Sequence, residues 1–157
     1  MIRIGFGYDV HPFAENRELW LGGIRIDHPH GLKGHSDADV LIHAICDALL
    51  GAANLRDIGF HFPDTSDEYK HIDSKRLLRD TMRMLREADY ELGNIDATIV
   101  TEQPKLNPFI PEMQKTLADV MKTPVGAISL KATTTEKLGF TGRGEGIAVY
   151  AVALLTN

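Results

Sequence analysis

Ile2, Ile4 and Phe6 alternate with other residues, the period of two that marks a β-strand. Leu19-Trp20-Leu21 and Ile24-Arg25-Ile26 are two short alternating runs around Gly22-Gly23, the composition of a two-residue hairpin turn. Residues 27–37, DHPHGLKGHSD, read as a loop. Ser36, with Asp39 three residues on, predicts an N-cap and its partner for a helix from Ala38 to about Ala53, dense in Ala and Leu. Residues 54–72 break that pattern and predict a long polar loop, a feature usually tied to function in a compact domain. A second helix is expected from Ser74 to Ala88, with Leu78, Met82 and Leu85 on one face. A strand at 95–101, a turn at PKLNP, a helix at about 109–121 and strands near 127–133 and 146–155 complete the chain. Strands alternating with helices predict an α/β sandwich: a mixed sheet covered by helices, with a small hairpin near the N-terminus.

Composition narrows the classes. At 157 residues with 43% hydrophobic and 25% charged positions, the chain suits one globular domain spanning residues 1–157. Seventeen Lys and Arg against 22 Asp and Glu give −5, which disfavours nucleic acid and anionic membrane as partners. No apolar run approaches the roughly 20 residues of a membrane span. The opening MIRIGFGYDVHPF reaches Asp9 and His11 too early for a secretory leader, and the single Cys46 excludes an internal disulfide. A cytoplasmic location is expected.

Candidate chemistry begins at Asp9-Val10-His11, directly after the first predicted strand. In extended backbone alternate residues point the same way, so Asp9 and His11 can converge on one ion. His43 stands inside the first helix at an otherwise Ala- and Leu-rich position. One carboxylate and two imidazoles suit Zn²⁺ and leave a coordination position for substrate. Spacing alone does not separate this from a capped turn and a core histidine. His28 and His30 could chelate or be solvated. Cys46, three residues after His43, could be a fourth ligand or a small buried hydrophobe. Asp39 and Asp47, four residues either side of His43, could orient its imidazole or form a solvated face.

Residues 132–146, ATTTEKLGFTGRGEG, carry hydroxyls, backbone N–H groups and an arginine between glycines, all suited to phosphate oxygens. Glu136 could hold a hard cation that bridges phosphates. The segment does not match a Walker-type phosphate loop, and a plain turn-rich connection would have similar composition. Asp57-Ile58-Gly59 and Phe62-Pro63-Asp64 are likewise consistent with turn chemistry alone.

Taken in order, RIGFGYDVHPF, GHSDADVLIHAICDALLGAANLRDIGFHFPDTS, LGNIDATIV, PKL and KATTTEKLGFTGRGEGIAV resemble the 2-C-methyl-D-erythritol 2,4-cyclodiphosphate synthase family over residues 3–149. The resemblance implies a homotrimer with active sites between subunits. It implies that Asp9, Val10 and His11 face the substrate, with Asp9, His11 and His43 as zinc ligands. His35 and Ser36 match residues at the reacting phosphates, and His35 shares a transition-state role with Thr134. Asp57, Ile58 and Gly59, with Phe62, Pro63, Asp64, Thr65 and Ser66, match the methylerythritol phosphate subsite. Thr101, Glu102, Gln103, Pro104, Lys105, Leu106 and Asn107, with Thr133, Thr134, Thr135 and Glu136, match the cytidine diphosphate side. Glu136 matches the ligand of a second divalent cation, Mg²⁺ or Mn²⁺, and Phe140 and Arg143 match further substrate contacts. Arg56, Phe60-His61 and Thr101 to Gln103 depart from the family's commonest pattern.

The implied reaction is metal-dependent cyclisation of 4-diphosphocytidyl-2-C-methyl-D-erythritol 2-phosphate, a step of isoprenoid precursor synthesis, with release of CMP. The substrate's own 2-phosphate is the nucleophile, so no enzymic base is needed, and no Ser–His–Asp arrangement is evident in the sequence. Lys137 is a further electrostatic candidate. Two alternatives remain at this level: a zinc-dependent phosphoester hydrolase, and a non-catalytic nucleotide- or metal-binding module.

Overall fold

The computed structural model describes residues 1–157. Strand β1, Ile2–Ala14, is followed by the hairpin β2, Leu19–Leu21, and β3, Ile24–Ile26, and by the short β4, Gly31–Leu32. Helix α1, Val40–Ala52, leads through α2, Ile58–His61, to α3, Ser74–Glu87. Strand β5, Glu91–Val100, helix α4, Ile110–Met121, strand β6, Ile128–Thr133, helix α5, Gly139–Gly142, and strand β7, Gly146–Thr156, complete the order. The main sheet runs β4-β1-β7-β5-β6, with β5 and β6 parallel and the other pairs antiparallel. The expected mixed sheet, helical cover and N-terminal hairpin are all present.

Helix α1 buries ten of its thirteen residues, the signature of a helix enclosed on nearly every side. It lies across β1 and β7 because β1 offers glycine there. A Cβ on Gly5 would come within 1.9 Å of the Ala48 carbonyl oxygen, and one on Gly7 within 2.0 Å of that of Ala44. Gly5 and Gly7 therefore let strand and helix backbones touch, a packing no larger residue permits. The consequence inverts the usual reading of an alternating strand. Ile2, Ile4, Phe6, Tyr8 and Val10 point away from the helices and stay exposed, Ile4 at 70% and Phe6 at 63%. Tyr150 and Val152 of β7 extend this bare face, and the Tyr150 ring stands 5.1 Å from that of Tyr8 and 6.4 Å from that of Phe6. The core of 34 buried residues lies on the other side, between the sheet and the layer of α1, α3 and α4.

Three local expectations are corrected. Strand β1 does not end before Asp9 but continues to Ala14, paired with β7 through His11 opposite Ile147. Ser36 is not the cap of α1. Ala38 adopts a left-handed φ of 59°, so the helix starts at Val40 and Asp39 caps it, accepting from Ile42 N–H at 3.1 Å. The 54–72 loop holds a one-turn helix, α2, capped by Asp57, and a 3₁₀ turn at Asp67–Tyr69. Gly22 and Gly23 take φ of 61° and 77°, as a two-residue hairpin turn of the primed type requires.

Candidate metal centre and substrate clefts

Asp9 and His11 leave β1 on the α1 side of the sheet, and His43 meets them from the middle of α1. Their donor atoms lie within 4.8 Å of one another. Asp9 Oδ2 is 2.9 Å from His11 Nε2 and 3.1 Å from His43 Nδ1, and the two ring nitrogens are 3.2 Å apart. Burial would raise the Asp9 pKa, but hydrogen bonds and charge from the two imidazoles reverse this and hold it at about 2. Burial opposes charge on His11 too, yet Asp9 raises its pKa overall.

Each imidazole is aimed from behind. His11 Nδ1 lies 2.7 Å from the Lys33 carbonyl, which can only accept, so Nδ1 carries the proton and the lone pair of the neutral ring is on Nε2, facing the cluster. His43 Nε2 lies 2.9 Å from Ser74 Oγ and 3.1 Å from Ser36 Oγ. Such outer partners fix ring orientation and tautomer in metal sites. A carboxylate and two imidazole nitrogens converging on one point fit a divalent metal of the zinc class, with room left for another ligand.

The candidates on either side of His43 do other work. Asp39 is fully buried and accepts from Gly22 N–H at 2.9 Å, Gly23 N–H at 2.7 Å and Ile42 N–H, tying the hairpin to the start of α1. Burial pushes its pKa up to about 6, and the three donors favour the carboxylate that holds them. It therefore does not orient His43. Asp47 accepts from Ile58 N–H at 2.8 Å and fixes the start of α2. Cys46 is buried, its thiol pushed up to about 12 by desolvation, and stands apart from the metal-ligating cluster. His28 and His30 pack against Phe13 away from it.

A cavity of about 810 Å³ opens at the cluster. Of the expected residues, Asp9, His11, His35, Ser36, His43, Ile58, Gly59, Phe62 and Asp64 line it. His35 Nε2 lies 3.1 Å from the Ser66 carbonyl, and the 35–37 strip is zipped to the opposite wall by His71 N–H to His35 O and Asp37 N–H to Ile72 O. Asp47, marked by its spacing from His43, also lines the cavity, as do Lys33, Tyr69, Ile72 and Leu77, which no spacing rule marks in the sequence. Val10 turns its side chain to the bare sheet face, leaving only its backbone on this side.

A second, separate cleft of about 160 Å³ gathers Thr101, Glu102, Pro104, Lys105, Leu106, Asn107, Thr133 and Thr134. Glu102 Oε1 accepts from the Thr135 and Lys137 N–H groups at 3.2 Å each, so its carboxylate organises the 135–137 turn. Gln103 lies outside this cleft, beside Phe13 and Glu145. Glu136 is exposed, near Thr134 alone, and Arg143 pairs with Glu145 at 2.8 Å. Asp57 serves as the α2 cap, Ser66 as the cap of the 3₁₀ turn, and Pro63, Thr65 and Phe140 lie outside both cavities. One chain thus brings His35 to the first cavity and Thr134 to the second.

The model of the YgbB family matches residues 2–156. The chain belongs to the YgbB family. Among its similar members, 2-C-methyl-D-erythritol 2,4-cyclodiphosphate synthase of Parabacteroides distasonis is 74% identical over 154 residues, 98% of this chain and 96% of that protein. The bifunctional IspDF of Campylobacter jejuni superposes with a TM-score of 0.95 at 47% identity, over 99% of this chain and 42% of that longer one. The CDP complex of IspF from Plasmodium falciparum superposes at 0.86 and 34% identity, over 98% and 95%. Within the YgbB family fold, the Asp9–His11–His43 cluster is a metal-ligating triad in geometry. No helix is long and apolar enough to cross a membrane.

Proposed function

We propose that this chain, as a single catalytic domain, cyclises 4-diphosphocytidyl-2-C-methyl-D-erythritol 2-phosphate to 2-C-methyl-D-erythritol 2,4-cyclodiphosphate and releases CMP. The observation that carries the reading is the convergence of Asp9, His11 and His43 in the large cavity of a chain that matches the YgbB family over residues 2–156. Asp9, His11 and His43 would hold Zn²⁺, and Glu136 a second cation, Mg²⁺ or Mn²⁺. When bound, the metals neutralise charge on the transferring phosphoryl group and polarise its oxygens. The substrate's 2-phosphate, already anionic, attacks the β-phosphorus, and the bond from that phosphorus to the CMP oxygen breaks. The chain's task is therefore to orient two phosphates against their repulsion, a contribution worth up to about 7–11 kcal/mol when geometry is near attack. Ser36 is suited to it. Its Oγ accepts from Ala38 N–H at 3.1 Å and faces the Nε2 edge of His43, so its own proton is available to a phosphate oxygen. His35 and Thr134 take the transition-state role, Asp57 to Gly59 and Phe62 to Ser66 the methylerythritol subsite, and 101–107 with 133–136 the cytidine side, joined by Phe140 and Arg143.

Two observations support a homotrimer with sites between subunits: His35 and Thr134 line separate cavities, and Ile4, Phe6, Tyr8 and Tyr150 form a contiguous exposed apolar face, the kind of surface that marks an interaction site. One chain alone holds half of each site. The expected compartment is the cytoplasm, and neither nucleic acid nor membrane is a partner.

Ser36, His43 and Asp9 also stand at the spacings of a hydrolytic triad, 3.1 Å at each link, an arrangement not visible in the sequence. Two features count against a serine nucleophile. Asp9 Oδ2 is shared between two imidazoles, and the nearer hydroxyl to His43 is that of Ser74, itself bonded to Asp37. The test is CMP release from the diphosphocytidyl substrate with Zn²⁺ and Mg²⁺, with identification of the second product. Cyclic diphosphate is expected. A linear product would make the chain a hydrolase, and no turnover would make it a binding module.

A further inference from the structure

Behind the metal-ligating triad, α3 begins with a buried serine that touches His43 but takes no part in the proposed binding of substrate. Ser74 is the first residue of the helix and its hydroxyl touches two groups: the Asp37 carboxylate and His43 Nε2, at 2.9 Å. Asp37 also receives Ser74 N–H on its other oxygen, at 2.9 Å. A carboxylate only accepts and a hydroxyl has one proton, so that proton goes to Asp37 and Ser74 Oγ is left to accept. The group that donates to it is His43 Nε2–H. The Nδ1 lone pair of His43 then faces Asp9 and His11, where a metal is to be bound.

We propose that Ser74, committed by Asp37, is a positioning residue for the metal: it sets the His43 tautomer and couples metal binding to the cavity wall. The inference rests on the metal reading above. The same two residues are the last links of the strip that joins 35–37 to 66–74, where Ser66 and His71 meet His35 and Ile72 meets Asp37. A metal bound through Nδ1 polarises the imidazole and strengthens the Nε2–H donation to Ser74, so occupancy tightens that seam. Conversely, loosening the seam frees the ring to rotate or change tautomer. Ser36 Oγ, at 3.1 Å from the same nitrogen, retains part of the orientation when Ser74 is lost.

The test uses the full chain with zinc and compares wild type with Ser74→Ala, Ser74→Thr and Asp37→Asn. Zinc affinity is read by competition with a chromogenic chelator, and the His43 ring by proton–nitrogen NMR. Outer partners of metal-bound histidines are worth about 10–100-fold in affinity. Ser74→Ala is expected to lose zinc affinity within that range and to lose the slowly exchanging Nε2–H signal. Ser74→Thr, which keeps the hydroxyl, should recover both. Asp37→Asn should weaken zinc although size and bonding capacity are kept, because the amide can donate to Ser74 and release its proton toward His43 Nε2. Zinc affinity in Ser74→Ala within twofold of wild type, or an unchanged Nε2–H signal, would overturn the proposal. So would an equal loss in all three variants accompanied by lost helicity, which marks a merely structural serine. If the wild type bound no zinc, the metal reading would fall by itself. The metal-free spectrum, showing His43 bonded through Nε2 or not, would still decide the relay.

Discussion

At the metal end both imidazoles have a second partner that aims them, whereas the threonine- and glycine-rich segment of the other cleft mostly bonds to itself. His11 is held by the Lys33 carbonyl and His43 by two serine hydroxyls, all carried on the longest strand and the most buried helix. In the other region Thr135 donates to Leu138 O at 2.6 Å, Arg143 pairs with Glu145, and Glu136 and Lys137 sit at left-handed φ of 54° and 65°. Glu136, Lys137 and Arg143 are exposed, and the one anchor from elsewhere in the chain is the Glu102 carboxylate under the 135–137 turn. The contrast teaches where preorganisation resides. A single subunit prepares its metal-ligating side chains, while the 133–145 loop is shaped by its own bonds and, in the proposed trimer, would face a neighbour's cavity.

The most severe way to break this comparison is at the metal end. Asp9→Ala removes the carboxylate both imidazoles converge on, and with it several kcal/mol of charge stabilisation. CMP release should fall by about 10³-fold or more, and zinc measured on the purified chain should be lost. Mixed after denaturation and refolding with an inactive Thr134→Ala chain, it should recover about a quarter of the wild-type activity. That is the fraction of interfaces at which an intact Asp9 cavity meets an intact Thr134 loop in a randomly mixed ring. Zero recovery would place both halves of the site in one chain.

Phe6→Glu attacks the bare sheet face without touching either cleft. A buried charge at an assembly interface costs far more than the exposed residue it replaces. The variant is expected to sediment as a smaller species and to lose about 10²-fold or more of its activity. It should keep its zinc, because the triad belongs to one chain. Unchanged assembly would mean the apolar face serves something other than a second copy.

Asp39→Asn separates mounting from chemistry. The amide supplies one acceptor where Gly22, Gly23 and Ile42 need a carboxylate with two oxygens, so a buried N–H is left facing an NH₂ group. The cost is about 1–3 kcal/mol, read from urea unfolding, with zinc affinity little changed.

These residues also mark how far the sequence was legible. Asp39 stands four positions from His43, the spacing that puts two side chains on one helical face. It is the N-cap, with φ −67° and ψ 90°, and its carboxylate folds back onto backbone N–H groups instead. The alternation of β1 identified a strand but not its direction of burial. Only the contact of Gly5 and Gly7 with the α1 carbonyls decides that the apolar side is the open one. Asp9, His11 and His43 could be singled out because alternate residues of extended backbone point one way and a histidine interrupts an apolar helix. Spacing left other readings open, and only the family resemblance made them a ligand set. Ser74 and Asp37 could not be singled out, since Ser74 reaches His43 across 31 residues and Asp37 across 37, and both look like ordinary helix-start polarity. The Ser36–His43–Asp9 alignment was hidden for the same reason.

The smallest expected effect concerns protons competing for the same cluster. In the metal-free chain the Asp9 pKa is depressed to about 2, so its contribution to stability is complete above the unfolded value of about 3.9 and disappears as pH falls toward 2. The His11 pKa is raised, so its contribution is complete below about 6.5 and is lost as pH rises through the folded value. Unfolding with chelator present should therefore show a plateau between about pH 4 and 6.5, with a fall on each side, that on the acid side of the order of 2 kcal/mol. Asp9→Asn should flatten both limbs, because it removes one titrating group and the partner that shifts the other. Zinc should change the alkaline limb in sign: the His11 proton must leave before the metal binds, so affinity rises with pH just where the metal-free chain weakens. A zinc affinity independent of pH between 5 and 8 would mean that neither imidazole is a ligand, because each must be neutral to bind a metal, and the better-built end of the molecule would lose its metal reading.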